Sequence, residues 1–281
     1  MLEIIIAIAI LGGLGLIFGL VLAAASKVFY VETDPRLEAL NECLPGANCG
    51  GCGYAGCGGY AEAVLKGEAP IGACSSGGNE CAQAMSAIMG VKTGEVKRKV
   101  AFVRCSGYRR VDSEGKTQGL RIKGEYEGFK DCLAASKVGG NGPISCKFGC
   151  LGFGSCAKAC QYDAISVVDG VARVDPEKCT GCLACTRACP RKLIQGVDYD
   201  QQVFIPCASH AKGAITVRGC SQGCIGCSLC VKICPEKAIS MNRNLAVIDY
   251  SKCTNCGLCA TVCPKKLIIS NAEPAQEPVT Q

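Results

Sequence analysis

"GCSQGCIGCSLCVKICP", residues 219–235, holds five cysteines and ends in proline. From Cys224 onward it fits the spacing C-x2-C-x2-C-x3-C-P, which binds [4Fe–4S] clusters through cysteine thiolates. In this spacing the fourth cysteine, here Cys234, ligates a neighbouring cluster. The stretch therefore predicts paired iron–sulfur clusters, and Cys220 is one cysteine more than the spacing requires.

Two further stretches show the same spacing without an extra cysteine. They read CTGCLACTRACP (179–190) and CTNCGLCATVCP (253–264). Four close cysteines, the last of which serves a neighbour, suit paired clusters better than a zinc site, which is typically built from separate C-x2-C pairs. The recurrence of this long spacing predicts ferredoxin-like modules.

The chain also repeats itself at an offset of 74 residues (253 − 179 = 74). CAKACQYDAI (156–165) matches CVKICPEKAI (230–239), for example. The repeat predicts two tandem ferredoxin-like modules with two clusters each. It superimposes eight cysteines without a gap, namely Cys146, Cys150, Cys156, Cys160, Cys179, Cys182, Cys185 and Cys189 on Cys220, Cys224, Cys230, Cys234, Cys253, Cys256, Cys259 and Cys263.

The crossing of the fourth cysteine assigns most of these residues to clusters. In the first module we expect one cluster on Cys146, Cys150, Cys156 and Cys189, and another on Cys160, Cys179, Cys182 and Cys185. In the second module we expect one cluster on Cys234, Cys253, Cys256 and Cys259, while Cys263 closes the other.

Two sets of partners for Cys263 stay open. The unbroken spacing selects Cys224, Cys227 and Cys230. The repeat selects Cys220 instead of Cys227, because the first module has Phe153 at the position equivalent to Cys227. We favour Cys227, because it belongs to a complete C-x2-C-x2-C-x3-C-P run.

A separate group of cysteines lies nearer the N-terminus and is interleaved with glycines. Its spacing is C-x2-C-x4-C-x16-C, formed by Cys49, Cys52, Cys57 and Cys74. Glycine lets the backbone fold around a cluster and direct N–H groups at its sulfurs. The single C-x2-C pair with a third cysteine close by favours an iron–sulfur cluster over zinc, and brings the predicted total to five [4Fe–4S] clusters.

Five cysteines receive no ligand role from spacing. Cys105 and Cys207 lie in similar segments, AFVRCSG (101–107) and VFIPCAS (203–209), and are expected to share a structural role. Cys132 has no equivalent in the repeat, and the remaining two, Cys43 and Cys81, are interpreted as small buried hydrophobic residues.

The composition favours metal binding over disulfides. The 281 residues include 26 cysteines, 36 glycines, one histidine and no tryptophan. C-x2-C spacing is typical of metal sites, whereas disulfides belong mainly to secreted scaffolds. Because cluster-bound thiolates are anionic, the formal net charge of +6 does not indicate a nucleic-acid partner, and none is expected. With so few large apolar side chains, the chain without clusters is expected to be largely unfolded.

The first thirty residues predict a single membrane-spanning helix. Residues 4–25 form an uncharged apolar run of 22 residues, which is long enough to cross a bilayer. A secretory signal peptide is the alternative, but the segment before the run carries Glu3 and no basic residue. Lys27 and Arg36 follow the run, so the positive-inside rule places the cysteine-rich part on the cytoplasmic side of the cytoplasmic (inner) membrane.

This order of features resembles one family. An N-terminal span, then LPGANCGGCGYAGC (44–57) with a later cysteine, then ferredoxin spacings, is similar to the RnfB family, in its longer form. RnfB proteins are components of the Rnf complex, the ion-translocating ferredoxin:NAD oxidoreductase. The resemblance covers nearly the whole chain. It implies an α+β fold, and that the first cluster uses Cys49, Cys52, Cys57 and Cys74.

The expected organisation has five parts. Residues 1–30 form the transmembrane anchor, 31–95 a small N-terminal [4Fe–4S] domain, 96–200 the first ferredoxin-like module, 201–270 the second, and 271–281 a disordered tail.

The predicted function is electron relay, because no motif for a substrate-transforming site, and so no catalytic residue, is found. The resemblance implies that the chain is a component of a translocase: reduced ferredoxin donates electrons, a flavin-containing partner reduces NAD, and membrane subunits export Na⁺ or H⁺. Membrane lipid is a further expected contact. The alternative is a metal-stabilised, membrane-tethered scaffold without a redox role.

Overall fold

The computed structural model describes residues 2–28, 34–111, 117–140 and 142–271. The predicted disordered tail lies outside these residues except for Asn271. Helix α1 (Leu2–Val28) has 27 residues and is therefore about 40 Å long. Its segment Ile10–Lys27 has a mean hydropathy of 1.9 and is not buried by the rest of the described chain. This helix fits a membrane anchor by length and composition.

Three short helices with their own core follow the anchor. They are α2 (Pro35–Glu42), α3 (Cys57–Leu65) and α4 (Gly78–Met89). Tyr60 is almost fully buried between them. Its hydroxyl donates to the Pro70 carbonyl oxygen (2.9 Å) and accepts from the Ala73 N–H (3.1 Å), which fixes the loop that leads into Cys74.

The first repeat consists of antiparallel strand pairs and short helices. Strand β1 (Lys99–Val103) pairs with β6 (Ile194–Asp198), β2 (Arg109–Val111) pairs with β3 (Thr117–Gly119), and β4 (Ile165–Val168) pairs with β5 (Val171–Val174). The helices are α5 (Cys132–Lys137), α6 (Ser155–Lys158) and α7 (Ala184–Ala188). Helices α6 and α7 each hold one buried cysteine, Cys156 and Cys185.

The second repeat has the same order of elements. Strand β7 (Val203–Phe204) pairs with β10 (Ile269–Ser270), and β8 (Ile239–Asn242) pairs with β9 (Leu245–Ile248). The helices are α8 (Gly213–Gly219), α9 (Leu229–Ile233) and α10 (Leu258–Thr261). Helices α9 and α10 begin 74 residues after α6 and α7 (229 − 155 = 74; 258 − 184 = 74). The offset read from the cysteines is therefore also an offset of secondary structure.

The two repeats contact each other along a seam of backbone hydrogen bonds. The Arg121 N–H donates to the Gly219 carbonyl oxygen (3.0 Å), and the Ser106 N–H donates to that of Pro206 (2.9 Å). Phe102 and Phe204 stack beside them with ring centroids 4.7 Å apart. Every sheet in the described residues has two strands, and two-stranded sheets are marginal on their own. The packing around the cysteines must therefore supply much of the stability.

Candidate iron–sulfur sites

Four cysteine side chains line one cavity beside α6. We call them the Cys156 group: Cys132, Cys150, Cys156 and Cys189. Burial raises the pKa of the Cys156 thiol to about 12, and the thiols of the other three members add to the rise. Apolar side chains that include Val103, Leu151 and Leu193 complete the lining. The cavity is thus walled mainly by sulfur and hydrocarbon.

Cys132, which has no role in the spacing patterns, is held in this group by a network at the start of α5. Asp131 caps α5 by accepting from the Leu133 N–H (2.8 Å). Its other carboxylate oxygen accepts from the Ser155 hydroxyl (2.7 Å), which in turn accepts from the Cys132 N–H (2.8 Å). Because Ser155 begins α6, this network fixes Cys132 beside Cys156.

Cys146, which spacing places in the Cys156 group, lies elsewhere. Its thiol accepts backbone hydrogen bonds from Phe148 and Gly149 and lines a different cavity, at the seam. The physical reason is the replacement noted in the repeat: Phe153 stands where the second repeat has Cys227, so the missing thiol comes from α5. The count of ligands could have revealed this, because a module short of one cysteine needs a donor from outside the run.

A second group surrounds the buried thiol of α7. We call it the Cys185 group: Cys160, Cys179, Cys182 and Cys185. Burial raises the pKa of Cys185 to about 12, and the other three members, together with Cys156, add to the rise. Cys179 also accepts a hydrogen bond from the Ala101 N–H (3.3 Å), which anchors the group to β1. These are the four cysteines that the crossed-ligand spacing selects, and they lie next to the Cys156 group.

The second repeat holds two equivalent groups. The Cys230 group consists of Cys224, Cys227, Cys230 and Cys263, and the Cys259 group consists of Cys234, Cys253, Cys256 and Cys259. Burial raises the pKa of Cys230 to about 11 and that of Cys259 to about 12, with added effects from their neighbouring thiols. Cys227, not Cys220, lines the cavity with Cys263. The structure therefore brings together the set that the unbroken spacing favours.

The N-terminal group is Cys49, Cys52, Cys57 and Cys74, and it packs on the core of α2, α3 and α4. The thiols of Cys74 and Cys81 share a hydrogen bond, which lowers the pKa of Cys74 and raises that of Cys81. Cys74 is thus suited to be the thiolate ligand, while Cys81 stays protonated as its donor. Asn48 accepts from the Cys57 N–H (2.8 Å) and orients the start of α3.

The N-terminal group docks directly on the Cys185 group. The Arg187 guanidinium donates to the carbonyl oxygens of Cys49 (2.8 Å) and Gly50 (3.3 Å). Burial raises the pKa of the Cys182 thiol, and Cys49 is among the neighbours that add to the rise. A Cβ atom on Gly51 would lie 2.4 Å from the Cys182 carbonyl oxygen, so only glycine fits at this contact.

Gly51→Ala is expected to separate the N-terminal group from the Cys185 group without removing iron, because the added methyl would collide with a backbone atom. In the fully reduced protein, magnetic coupling between the two clusters should weaken, which EPR line shapes measure. Gly59→Ala is the matched control, since a Cβ there meets nothing within 4 Å. An EPR spectrum of Gly51→Ala identical to that of the wild type would show that the contact is not tight.

The chemistry of these groups fits [4Fe–4S] clusters. Each offers four thiols, which is the ligand set of a cubane. Within the described residues, no three His, Cys, Asp or Glu side chains converge on a point where one metal ion could sit. A cubane holds its thiolates further apart than a single ion does, so the spread of the sulfurs favours the cluster over zinc.

Family comparisons agree with these groups. Residues 44–76 match a family model for an Fe-S cluster, and residues 178–239 and 223–267 match two models described as 4Fe-4S dicluster domains. The matched segments contain the N-terminal group's Cys49–Cys74 span and both runs of the repeats. Iron–sulfur cofactors and a mixed helix and strand fold are therefore established for this chain.

Three curated relatives cover most of the chain, and each is the B subunit of an ion-translocating complex. The chain is 44% identical to that of the Na⁺-translocating ferredoxin:NAD⁺ oxidoreductase complex of Acetobacterium woodii, over 89% of this chain and 73% of the relative. It is 40% identical to that of the ion-translocating oxidoreductase complex of Methanosarcina acetivorans, over 87% and 90% respectively. It is 39% identical to that of the proton-translocating ferredoxin:NAD⁺ oxidoreductase complex of Clostridium ljungdahlii, over 85% and 81%.

Proposed function

The chain belongs to the RnfB family of ion-translocating ferredoxin:NAD oxidoreductase complexes, and from this premise we propose that it takes electrons from reduced ferredoxin and passes them to other subunits of such a complex. It is an iron–sulfur electron-transfer subunit of a translocase. The predicted flavin-containing, NAD-reducing partner and the membrane subunits belong to this proposal, as does contact with membrane lipid.

We propose that the N-terminal group and the Cys185, Cys156, Cys230 and Cys259 groups each hold one [4Fe–4S] cluster. When bound, each cluster supplies a one-electron redox centre. The chain's part is to hold the thiolates, exclude water with apolar walls and direct N–H groups at sulfur, as Ala101 does for Cys179. Cys132 replaces the expected Cys146 in this assignment, and Cys227 is preferred to Cys220.

The observation that carries the relay is the contact between successive groups. The N-terminal group touches the Cys185 group through Arg187 and Gly51. Cys185 lies near Cys156, and Cys259 lies near Cys230, as their mutual effects on pKa indicate. Groups arranged in contact provide short steps for electrons, whereas a purely structural scaffold does not require them.

The proposed layout keeps the five predicted parts of the chain. Helix α1 is the single anchor, with Lys27 after it and the cysteine groups on the cytoplasmic side of the membrane. Residues 31–95 form the N-terminal domain, and 96–200 and 201–270 form the two modules. Reduced thiols and cluster loading suit the cytoplasmic compartment.

The test is oxidation of reduced ferredoxin by the full chain, purified anaerobically in detergent. Rapid oxidation is expected, with broad absorbance near about 400 nm bleaching as the chain's clusters are reduced. The double variant Cys49→Ala/Cys253→Ala removes one cluster at each end of the series, so at least one entry point for electrons is lost and oxidation should slow to roughly a tenth. Cys43→Ala, outside all the groups, is the control.

Rapid ferredoxin oxidation by the double variant would contradict the relay. Absorbance that dithionite cannot bleach would favour the scaffold without a redox role.

A further inference from the structure

Four cysteines outside the five groups line a single cavity at the seam between the repeats. We call them the seam group: Cys105, Cys146, Cys207 and Cys220. All but Cys146 are buried, and Cys146 is partly buried. The cavity encloses about 300 Å³, close to the 340 Å³ of the cavity at the Cys259 group. The first and second repeats contribute two thiols each.

The backbone around these four thiols has a matched pattern of hydrogen bonds. Cys146 accepts from the residues two and three positions later, Phe148 and Gly149. Cys220 accepts from the equivalent pair, Gln222 and Gly223. The paired glycines are sterically required, since a Cβ at Gly223 would lie 2.3 Å from a Thr216 methyl and one at Gly149 would lie 2.8 Å from a Leu120 methyl.

The other two thiols show a second matched pattern. The Cys150 N–H donates to Cys105 Sγ (3.4 Å), and the Cys224 N–H donates to Cys207 Sγ (3.4 Å). Each also accepts from the residue two positions later, as Ser209 does for Cys207 at 3.4 Å. Every seam thiol therefore accepts two backbone N–H groups, an environment that stabilises thiolates and tunes clusters.

A neutral interpretation of these thiols is costly. Burial raises the pKa of Cys105 to about 12 and that of Cys220 to about 11. Eight N–H groups directed at four weakly accepting neutral thiols would be poorly matched, whereas thiolates are strong acceptors. The cation of Arg191, which donates to the Cys146 carbonyl oxygen (3.0 Å), adds positive charge beside the cavity. All four cysteines are free, so disulfides do not explain the group.

From this geometry we propose that Cys105, Cys146, Cys207 and Cys220 bind a sixth [4Fe–4S] cluster that joins the two modules. It assigns the extra cysteine of the second repeat, the displaced Cys146, and the similar segments around Cys105 and Cys207 to one site. With six groups of four, 24 of the 26 cysteines are ligands (6 × 4 = 24). Cys43 and Cys81 remain as hydrophobic or hydrogen-bonding residues.

The site also closes the one gap in the series of groups. Cys150 belongs to the Cys156 group and Cys224 to the Cys230 group, and the backbone N–H of each binds a seam thiol. One electron leaving a centre on one side oxidises it and reduces the seam centre, with no change of bond or proton. This electron-carrying role rests on the proposed function, whereas cluster binding does not.

Native mass spectrometry of the full chain, purified anaerobically, tests the site directly. The heaviest wild-type species should carry six clusters, with about 24 irons, rather than five with about 20. Cys105→Ala and Cys220→Ala, from different modules, should each lose one cluster, and the double variant should lose the same single cluster. Cys43→Ala is the control and should keep six.

A wild-type chain whose heaviest species carries five clusters would overturn the site, whether or not the variants fold. So would a double variant that loses two clusters, because the two cysteines would then serve separate sites. Ferredoxin oxidation measured on the same samples separates the two proposals. A chain that holds six clusters but fails to oxidise ferredoxin would contradict the relay and leave the seam site standing.

Discussion

Anaerobic removal of iron from the full chain is expected to unfold nearly everything after α1. The described sheets have two strands each, and buried cysteines make up part of every core. A structural metal site contributes about 10 kcal/mol or more to folding, whereas a whole domain is stable by only roughly 5–15 kcal/mol. Loss of the clusters therefore removes a free energy as large as the whole stability.

The measurement is far-UV circular dichroism and limited proteolysis before and after treatment with an iron chelator and oxidant. Protease should then cut throughout residues 34–271 at a rate at least about tenfold higher, while α1 stays helical in detergent because its hydrogen bonds are internal. A zinc-selective chelator at equal concentration is the control and should leave the digestion pattern unchanged. Persistent protection after iron loss would mean that the apolar packing suffices.

Cys185→Ala is expected to have the largest effect on electron transfer. Cys185 is buried at the centre of the group that touches both the N-terminal group and the Cys156 group. Its loss should remove one cluster, or about four irons, and should lower ferredoxin:NAD⁺ activity of the assembled complex to less than roughly a tenth. Iron analysis and steady-state NADH formation measure the two effects.

Cys43→Ala controls for the loss of a half-buried cysteine that lies outside the groups. Both its iron content and the activity of its complex should match the wild type. If Cys185→Ala lost its cluster but kept full activity, electrons would bypass this group, and the series of contacts would not be the route.

The runs of cysteines make much of the site predictable. The Cys185 and Cys259 groups follow from spacing alone, because the fourth cysteine crosses to a neighbour by a fixed rule of the fold. The 74-residue offset likewise predicts where α9, α10, β8 and β9 begin. Local spacing is informative here because the ligands of one cluster mostly lie on one turn of chain.

The ligands that escape prediction come from distant segments. Cys132 reaches its group only because Asp131 and Ser155 join two helices, and no spacing rule encodes that contact. Cys105 and Cys207 lie in similar segments, but their separation from Cys146 and Cys220 hides the common cavity. Repeat alignment also misleads, because it treats Cys146 and Cys220 as ligands within their own modules rather than across the seam.

The matched hydrogen bonds at the seam have a bearing on how the long chain arose. Cys105 with Cys146, and Cys207 with Cys220, form two equivalent halves, which is the arrangement of an isologous interface between identical subunits. A single module carries half of the cavity and cannot close it alone. Duplication with fusion would convert such a half-site, once completed by a second copy in a homodimer, into a permanent internal joint of one polypeptide.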